Sequence, residues 1–270
     1  MNTLLLIFWM LITPTQPNND LYYVIKVKGT IINKNSGKIL VPGDQIKSSD
    51  QLSFSNATDQ AIVLSSSRGK FTLAIPQDNL FDNNTLLAYA DKSLSPVDSR
   101  SQLATRSLAQ GKQSDLKNYF GNQTFYIIGK ELSVALDETK YPLNPSTYLS
   151  VEYFEKEQKS VKVKNTNQTV TLALNDFRST IETQKHDTIH NASLYHYDNQ
   201  HKLINKITDV NMVFLDEQLL NQEFKTIISV LKQGNMDPKE INAYIFQYFI
   251  DIYGQTDNYM LNQYIGRLNP

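Results

Sequence analysis

The first third of the chain alternates short apolar runs with clusters of turn-forming residues, over residues 22–76. Near its start, Ile25 and Val27 alternate with Lys26 and Lys28. An alternation with period two predicts a strand that has one buried and one solvent-facing side. The intervening clusters are rich in glycine, proline, asparagine, aspartate and serine, which favour tight turns. Short strands at this spacing predict a small antiparallel barrel, roll or sandwich.

A second β-rich part follows a polar stretch with weak periodicity. We assign residues 97–121 to a linker, in which residues 114–120 predict one or two helical turns ended by Gly121. Apolar runs spaced by roughly ten residues then predict a small β-sandwich over residues 122–215. These runs cover residues 125–128, 132–136, 148–154, 161–163, 170–174, 194–197 and 210–214.

The last part of the chain, residues 216–270, has the pattern of three helices. The first of them carries apolar residues at helical spacing, namely Leu220, Phe224, Ile227, Ile228 and Leu231. We expect Gly234 to end this helix, because glycine is the residue that most often follows a helix C-terminus.

The second of these helices has a clear start signal. Asp237, Pro238 and Glu240 have the order of an N-cap, a first helical proline and a capping-box glutamate. The helix that follows is apolar around most of its circumference and is predicted to end at Gly254. Such a helix must be covered on more than one side, so we expect it to be buried rather than to bind a partner. Asp257 is predicted to cap a last short helix.

The N-terminus has the pattern of an export signal. Residues 4–12 form an unbroken apolar run that is shorter than the roughly 20 residues a membrane-spanning helix needs. Pro14 and Pro17 then interrupt any helix. We interpret residues 1–19 as a cleaved signal peptide, with a retained anchor or a buried strand as the alternatives. The mature chain is then expected in the periplasm or outside the cell, with no integral membrane segment.

These patterns together predict a mainly β chain with an α-helical C-terminal part, in the α+β class. Residues 20–96 form a small β-barrel or roll, and residues 97–121 connect it to the second β-rich domain. That domain, residues 122–215, is expected to be sandwich-like. The three helices of residues 216–270 are expected to pack on it.

Several turns of the first β-rich part resemble a known family. Gly29 opens the first hairpin, residues 40–44 read Leu-Val-Pro-Gly-Asp, and residues 68–71 place Gly69 in the last hairpin. This order is similar to the FecR-like β-domain of exported bacterial regulators, and it covers about a fifth of the chain. The whole layout is similar to exported bacterial proteins that join such a domain to a second β-rich part and a helical tail. The resemblance implies an envelope protein that works through protein contacts.

Composition narrows the range of partners. The 26 lysines and arginines nearly balance the 27 aspartates and glutamates, and no basic stripe stands out. A nucleic-acid binder usually has a basic excess, so we expect no nucleic-acid partner. The chain has no cysteine, which excludes disulfides and thiolate metal ligands.

The four histidines lie in one stretch of the second β-rich part and are the first candidates for a metal site. His186 and His190 have the spacing of a helical zinc site, but Asp187 stands where a zincin motif needs glutamate. We therefore interpret the stretch as a polar loop followed by a strand, with His196 on the solvent-facing side. No metal and no cofactor is expected, and whether the histidine cluster of residues 186–201 has another role stays open.

Other charged motifs give weaker signals. The sequences at Lys70 and Lys112 lack the early glycine of a phosphate-binding loop. Lys162 and Lys164 belong to the densest basic patch and are expected to share one face of a strand, opposite Val161 and Val163. The patch also contains Lys156 and Lys159, and the carboxylates considered for acid–base chemistry are Asp137, Glu138, Glu152, Glu155 and Glu157. We expect all of these side chains to be solvated surface groups.

No catalytic, cofactor-binding or metal-binding residue is assigned from the sequence. The favoured function is a non-enzymatic binding or scaffolding protein of the bacterial cell envelope, with an envelope protein as partner. The alternative is an envelope hydrolase acting on glycans or peptides. Two buried carboxylates facing a cleft would favour the hydrolase, whereas a shallow surface with exposed aromatic residues would favour the binding protein.

Overall fold

The computed structural model describes residues 21–75, 111–121, 123–177 and 188–268. The chain divides into two compact units, residues 1–96 and 97–270. Each unit is built on β-sheets, and the second adds C-terminal helices, which confirms the predicted α+β class. The predicted signal peptide lies outside the described residues. Among the helices that the structure describes, none combines the length and the apolar character required to cross a membrane.

The first unit consists of two small sheets that share one core. A four-stranded sheet has the order β4-β1-β6-β7, and a three-stranded sheet has the order β3-β2-β5. The strands are β1 (Leu21–Lys28), β2 (Ile31–Asn33), β3 (Lys38–Ile39), β4 (Gln45–Lys47), β5 (Leu52–Phe54), β6 (Gln60–Ser65) and β7 (Gly69–Ala74). Both sheets contribute to the core, which contains Tyr22, Val24, Ile31, Leu40, Ile46, Leu52, Ala61, Val63, Phe71 and Leu73.

A β-bulge changes the predicted face of β1. The register between β1 and β6 shifts between Val24 and Lys26, so that the extra residue interrupts the alternation. As a result Val24 and Ile25 are both fully buried, although they are neighbours. The alternation that the sequence predicts for residues 25–28 is therefore wrong. Ile25 is fully buried, but Val27 is only partly buried against the core.

A tight turn connects the hairpin of β2 and β3 to β4. The Asp44 N–H donates to the Val41 carbonyl at 3.1 Å, which closes a four-residue turn with Pro42 and Gly43 in the middle. Gly43 has φ +95°, as the third position of a type II turn requires. The Asp44 carboxylate accepts a hydrogen bond from the Val41 N–H at 2.8 Å and holds the turn from the other side.

The Gly43→Val substitution is expected to destabilise the first unit by about 1–3 kcal/mol, because a β-branched residue is strained at this positive φ. Thermal unfolding followed by far-UV circular dichroism measures the change. Val41→Ala is the matched control, since its side chain is exposed in the same turn. An unchanged midpoint for Gly43→Val would show that the turn adopts another conformation in solution.

The second unit packs a six-stranded sheet against a three-stranded one. The larger sheet has the order β11-β10-β14-β15-β8-β16, and the smaller has the order β12-β13-β9. The strands are β8 (Thr124–Ile128), β9 (Glu131–Ala135), β10 (Thr147–Phe154), β11 (Gln158–Lys162), β12 (Lys164–Thr166), β13 (Thr169–Ala173), β14 (Thr188–Asp198), β15 (Leu203–Leu215) and β16 (Gln255–Thr256). β14 and β15 form a long antiparallel hairpin, and β8 runs parallel to β15.

One hydrophobic core joins both sheets of the second unit. It includes Leu149, Val151 and Leu194 from the larger sheet and Val134 and Leu172 from the smaller. Two short helices close it, α1 (Leu116–Phe120) and α2 (Leu174–Phe177). The helix that the sequence placed in a linker thus contributes Leu116 and Phe120 to this core.

The predicted common face for Lys162 and Lys164 is wrong. Lys162 ends β11 in the larger sheet, whereas Lys164 begins β12 in the smaller sheet. The chain changes sheet at Val163, whose side chain is buried and whose N–H donates to the Leu149 carbonyl at 2.9 Å. The two lysines consequently have different neighbours, and the Lys164 ammonium pairs with Asp176 at 2.6 Å.

Three helices follow β15, with β16 between the second and the third. They are α3 (Glu217–Gln233), α4 (Pro238–Ile252) and α5 (Asn258–Leu268). The capping box predicted at Asp237 and Glu240 is present at the start of α4. Gly234 follows α3, but its φ is −81°, and Asn235 adopts the left-handed conformation with φ +56°. The fully buried residues of α4 are Ile241, Ile245, Tyr248 and Phe249, which is a narrower stripe than the sequence predicted.

Candidate functional site

One side of the six-stranded sheet carries a cluster of aromatic and charged side chains. Strand side chains alternate between faces, so Leu149 and Val151 point into the core and Tyr148 and Glu152 point to the opposite side. The pairing of β10 with β14 places Tyr148 opposite Tyr197. We call the group Tyr148, Glu152, Lys162, Tyr195 and Tyr197 the tyrosine face.

The strand register brings these side chains together. Ser150 of β10 lies opposite Tyr195 of β14 on one side and opposite Lys162 of β11 on the other. The face therefore extends across three strands, with Ser150 as a small, buried residue at its centre. A small residue at this point leaves room for the larger side chains around it.

The rings of the tyrosine face have a fixed arrangement. Tyr148 and Tyr197 stack with centroids 5.2 Å apart and planes only 2° from parallel. The centroids of the Tyr195 and Tyr197 rings are 6.2 Å apart. The Lys162 ammonium is 4.2 Å from the centre of the Tyr148 ring, which is within the range of a cation–π interaction.

Glu152 holds the stacked pair in place. The Tyr197 hydroxyl donates to one Glu152 oxygen at 2.6 Å, and the Gln158 amide donates to the other at 3.2 Å. The hydrogen bond to Glu152 raises the pKa of Tyr197 to about 12, with burial as a smaller cause. Tyr197 thus stays protonated at neutral pH and serves as a positioned ring and donor rather than as a nucleophile.

The borders of the tyrosine face differ in charge and polarity. Lys206 pairs with Asp209 at 2.6 Å, so its charge is compensated within β15. Lys162 forms no ion pair with any carboxylate among the residues that the structure describes. Ile204, which lies opposite Tyr197, has 60% of its surface exposed and adds an apolar border.

A separate groove of about 940 Å³ lies in the same unit. The chain segments before α1 and before α5 form its two sides, and both contribute a carboxylate. Asp115 is exposed and caps α1 by accepting from the Asn118 N–H at 3.0 Å. Asp257 caps α5 by accepting from the Met260 N–H at 2.8 Å, and it also accepts from the Tyr119 hydroxyl at 2.6 Å. Both carboxylates are therefore engaged in holding the walls of the groove.

A third polar cluster is buried between the helices. Glu223 of α3 has only 4% of its surface exposed and accepts hydrogen bonds from the hydroxyls of Tyr248 and Tyr253 at 2.8–2.9 Å. Burial, followed by the nearby Glu223 charge, raises the pKa of both tyrosines far above the ordinary value. Both hydroxyls remain protonated donors, and their hydrogen bonds to Glu223 join α3 to α4 and to the residue that follows it.

The histidines do not come together around one point. His190 is exposed on β14, and His201 pairs with Asp198 at 2.7 Å. His196 lies opposite Leu149, on the core side of the sheet, and contacts the Pro142 carbonyl at 3.2 Å. The register contradicts the predicted side of the strand, although the His196 side chain is only half-buried. His186 lies outside the described residues.

The other residues considered for catalysis, metal binding or phosphate binding are also separated from one another. Within residues 21–75, 111–121, 123–177 and 188–268, no group of three or more potential ligands is arranged for a metal ion. The Asp137 carboxylate accepts a hydrogen bond from the Thr139 hydroxyl, which lowers the pKa of that carboxyl group. Glu155 pairs with Lys159. Lys70 lies in strand β7, and the short helix after Lys112 is α1.

The tyrosine face was missed by reasoning from the sequence. The alternation in residues 148–152 was visible, and it assigns Tyr148 and Glu152 to one side of a strand. The sequence does not show that β14 pairs with β10 in the register that stacks Tyr148 on Tyr197. Only the sheet topology supplies that step.

Comparison with known proteins leaves the chain without an assigned family. No protein-family model matches it, and a search of curated protein sequences finds no significant relative.

Proposed function

We propose that this protein is an exported, non-enzymatic binding module of the bacterial cell envelope, and that it contacts a protein partner through the tyrosine face. The stacked and hydrogen-bonded pair of Tyr148 and Tyr197 is the observation that carries the proposal. The apolar N-terminal run and the FecR-like turns support the location in the envelope. The proposal accounts for aromatic side chains that lie half-exposed on the six-stranded sheet.

Tyrosines on a rigid sheet suit protein recognition for an energetic reason. A tyrosine has few rotatable bonds, so it offers a large contact area at a low cost in conformational entropy. Glu152 fixes Tyr197 further, and stacking fixes Tyr148. Because these rings are already ordered in the free protein, binding loses little additional entropy.

The charges define the chemistry of the partner surface. The tyrosine face carries two charges, Lys162 and Glu152. In the described part of the chain Lys162 forms no ion pair with a carboxylate. Glu152 accepts hydrogen bonds from the Tyr197 hydroxyl and the Gln158 amide. A partner that places a carboxylate opposite Lys162 and an apolar side chain near Ile204 complements the face. We therefore expect a protein surface with an acidic residue beside an apolar one.

The alternative of an envelope hydrolase has less support. Asp115 and Asp257 are the carboxylates that face the groove, and both serve as helix caps. Glu223 is buried, but its hydrogen bonds go to tyrosines inside the helical part. The half-exposed rings of the tyrosine face favour the binding protein instead.

The proposal predicts that Tyr148→Ala and Tyr197→Ala each weaken partner binding by about tenfold or more, as at a binding hot spot. A photo-crosslinking amino acid at position 204, in cells that produce the protein, identifies the partner. Calorimetry with the purified partner then gives the dissociation constants. Lys162→Glu is expected to weaken binding as well, and more strongly at low salt.

Tyr259→Ala is the matched control, because this tyrosine lies in the groove rather than on the tyrosine face. It should leave partner binding unchanged. Circular dichroism confirms that each variant is folded before its affinity is measured. Binding that withstands both tyrosine substitutions in folded protein would refute this site.

A further inference from the structure

We propose that the groove before helices α1 and α5 binds a neutral oligosaccharide. The walls of this groove carry five side-chain amides, and we call it the amide groove. The amides belong to Gln113, Asn118, Gln123, Gln255 and Asn258. Its volume, about 940 Å³, lies within the range of small-molecule sites, roughly 300–1,000 Å³.

Amide side chains suit a ligand rich in hydroxyl groups. Each amide offers two N–H donors and a carbonyl acceptor, while a sugar hydroxyl both donates and accepts. Gln123 and Asn258 are exposed, and their side chains make no hydrogen bond to the part of the protein that the structure describes. These two amides are free to bind a ligand without breaking an existing contact.

The charges of the groove argue against a charged ligand. Asp115 and Asp257 face the groove, so a carboxylate or phosphate would meet negative charge. Both carboxylates already accept hydrogen bonds from helix N–H groups, so a cation would have to compete for them. Lys112 also lines the groove, and it makes only a minor contribution to the lowered pKa of Asp137, whose main cause is the hydrogen bond from Thr139. A neutral ligand is not repelled by Asp115 and Asp257 and does not have to displace their hydrogen bonds.

An aromatic ring completes the chemistry of the site. Tyr259 lines the amide groove and is half-buried. In the described parts of the chain its ring stacks on no other aromatic ring, whereas Tyr119 packs against Phe120 and Phe125. Tyr259 can therefore offer one apolar surface to the C–H face of a sugar ring.

The framework of the groove is rigid. Gln255 donates from its side chain to the Tyr119 carbonyl at 2.7 Å and to the Asn118 carbonyl at 3.3 Å, which ties β16 to α1. Thr256 donates to the Tyr126 carbonyl at 2.6 Å and fixes β16 against β8. The Gln113 N–H donates to the Ala135 carbonyl at 2.7 Å. The walls are thus in place before a ligand binds, which lowers the entropic cost of binding.

Nuclear magnetic resonance of the full chain tests the proposal. Cellotetraose, maltotetraose, xylotetraose and chitotetraose are titrated one at a time, with tetragalacturonate as the charged comparison. At least one neutral sugar is expected to shift the backbone amide signals of Gln113, Gln123 and Asn258. Tyr259→Ala and Gln123→Ala should each weaken the binding of that sugar by about tenfold.

Tyr195→Ala is the matched control, because it removes a ring from the tyrosine face and should leave sugar binding unchanged. This control also separates the two proposals, since neither site shares a residue with the other. The inference is overturned if none of the neutral sugars shifts these signals, or if tetragalacturonate binds more tightly than all of them. Binding that survives Tyr259→Ala and Gln123→Ala would likewise overturn it.

Discussion

Replacement of Phe249 by alanine is expected to lower the free energy of unfolding by about 3–5 kcal/mol, the usual cost of removing a large ring from a core. Phe249 is fully buried in α4. Its ring stacks on Tyr253 at 4.9 Å and meets the edge of Phe224 at 6.4 Å. The substitution removes both ring contacts and leaves a cavity between these side chains, so both the lost burial and the cavity contribute.

Urea unfolding followed by far-UV circular dichroism measures this loss, because the three C-terminal helices contribute strongly to the signal. Phe246→Ala is the matched control, since Phe246 is only half-buried on the same helix. The free energy of unfolding should fall clearly less in Phe246→Ala than in Phe249→Ala. Equal costs for the two substitutions would contradict the packing described for α4.

Helices were the elements most open to prediction from the sequence. The spacing of Leu220, Phe224 and Ile227 marks a face that is buried in the structure. The capping box at Asp237 depends only on residues three positions apart, so local chemistry suffices to predict it. Gly254, with φ +98°, likewise follows α4 as expected. These signals are local, and for that reason the sequence contains them.

The details of the sheets depend on contacts between residues that are distant in the sequence. Several predictions about strand faces were therefore wrong. The bulge after Val24 buries two neighbouring residues, which the period-two pattern cannot show. A change of sheet at Val163 separates Lys162 from Lys164. His196 points to the core side because of the register of β10 and β14. In each case the pairing of two strands decides which way a side chain points.

The two candidate sites differ in how much of them could have been predicted. For the tyrosine face, the sides of the individual strands can be read from the alternation of residues, but their order in the sheet cannot. The amide groove unites residues 111–115 with residues 254–260, which are far apart in the sequence. Polar side chains in two distant loops give no periodic signal, so only the three-dimensional structure reveals the groove.

Replacement of Glu223 by alanine is the second substitution for which a large effect is expected. The change removes the acceptor that the Tyr248 and Tyr253 hydroxyls share inside the helical part. Each hydroxyl that loses a buried partner costs about 1–3 kcal/mol, so the free energy of unfolding should fall by about 2–6 kcal/mol. Gln222→Ala is the matched control, because Gln222 is exposed on the same helix.

The same substitution is expected to disturb the amide groove. Tyr253 packs its ring against Tyr126 of β8, and Gly254 and Gln255 follow it directly. Once its hydroxyl has lost Glu223, Tyr253 is less firmly held, and β16 loses part of its anchor. Hydrogen exchange should therefore accelerate at Gln255 and Thr256 in Glu223→Ala, and remain unchanged in Gln222→Ala. If unfolding becomes easier while exchange at β16 stays slow, Glu223 stabilises the helices alone and the link to the groove is refuted.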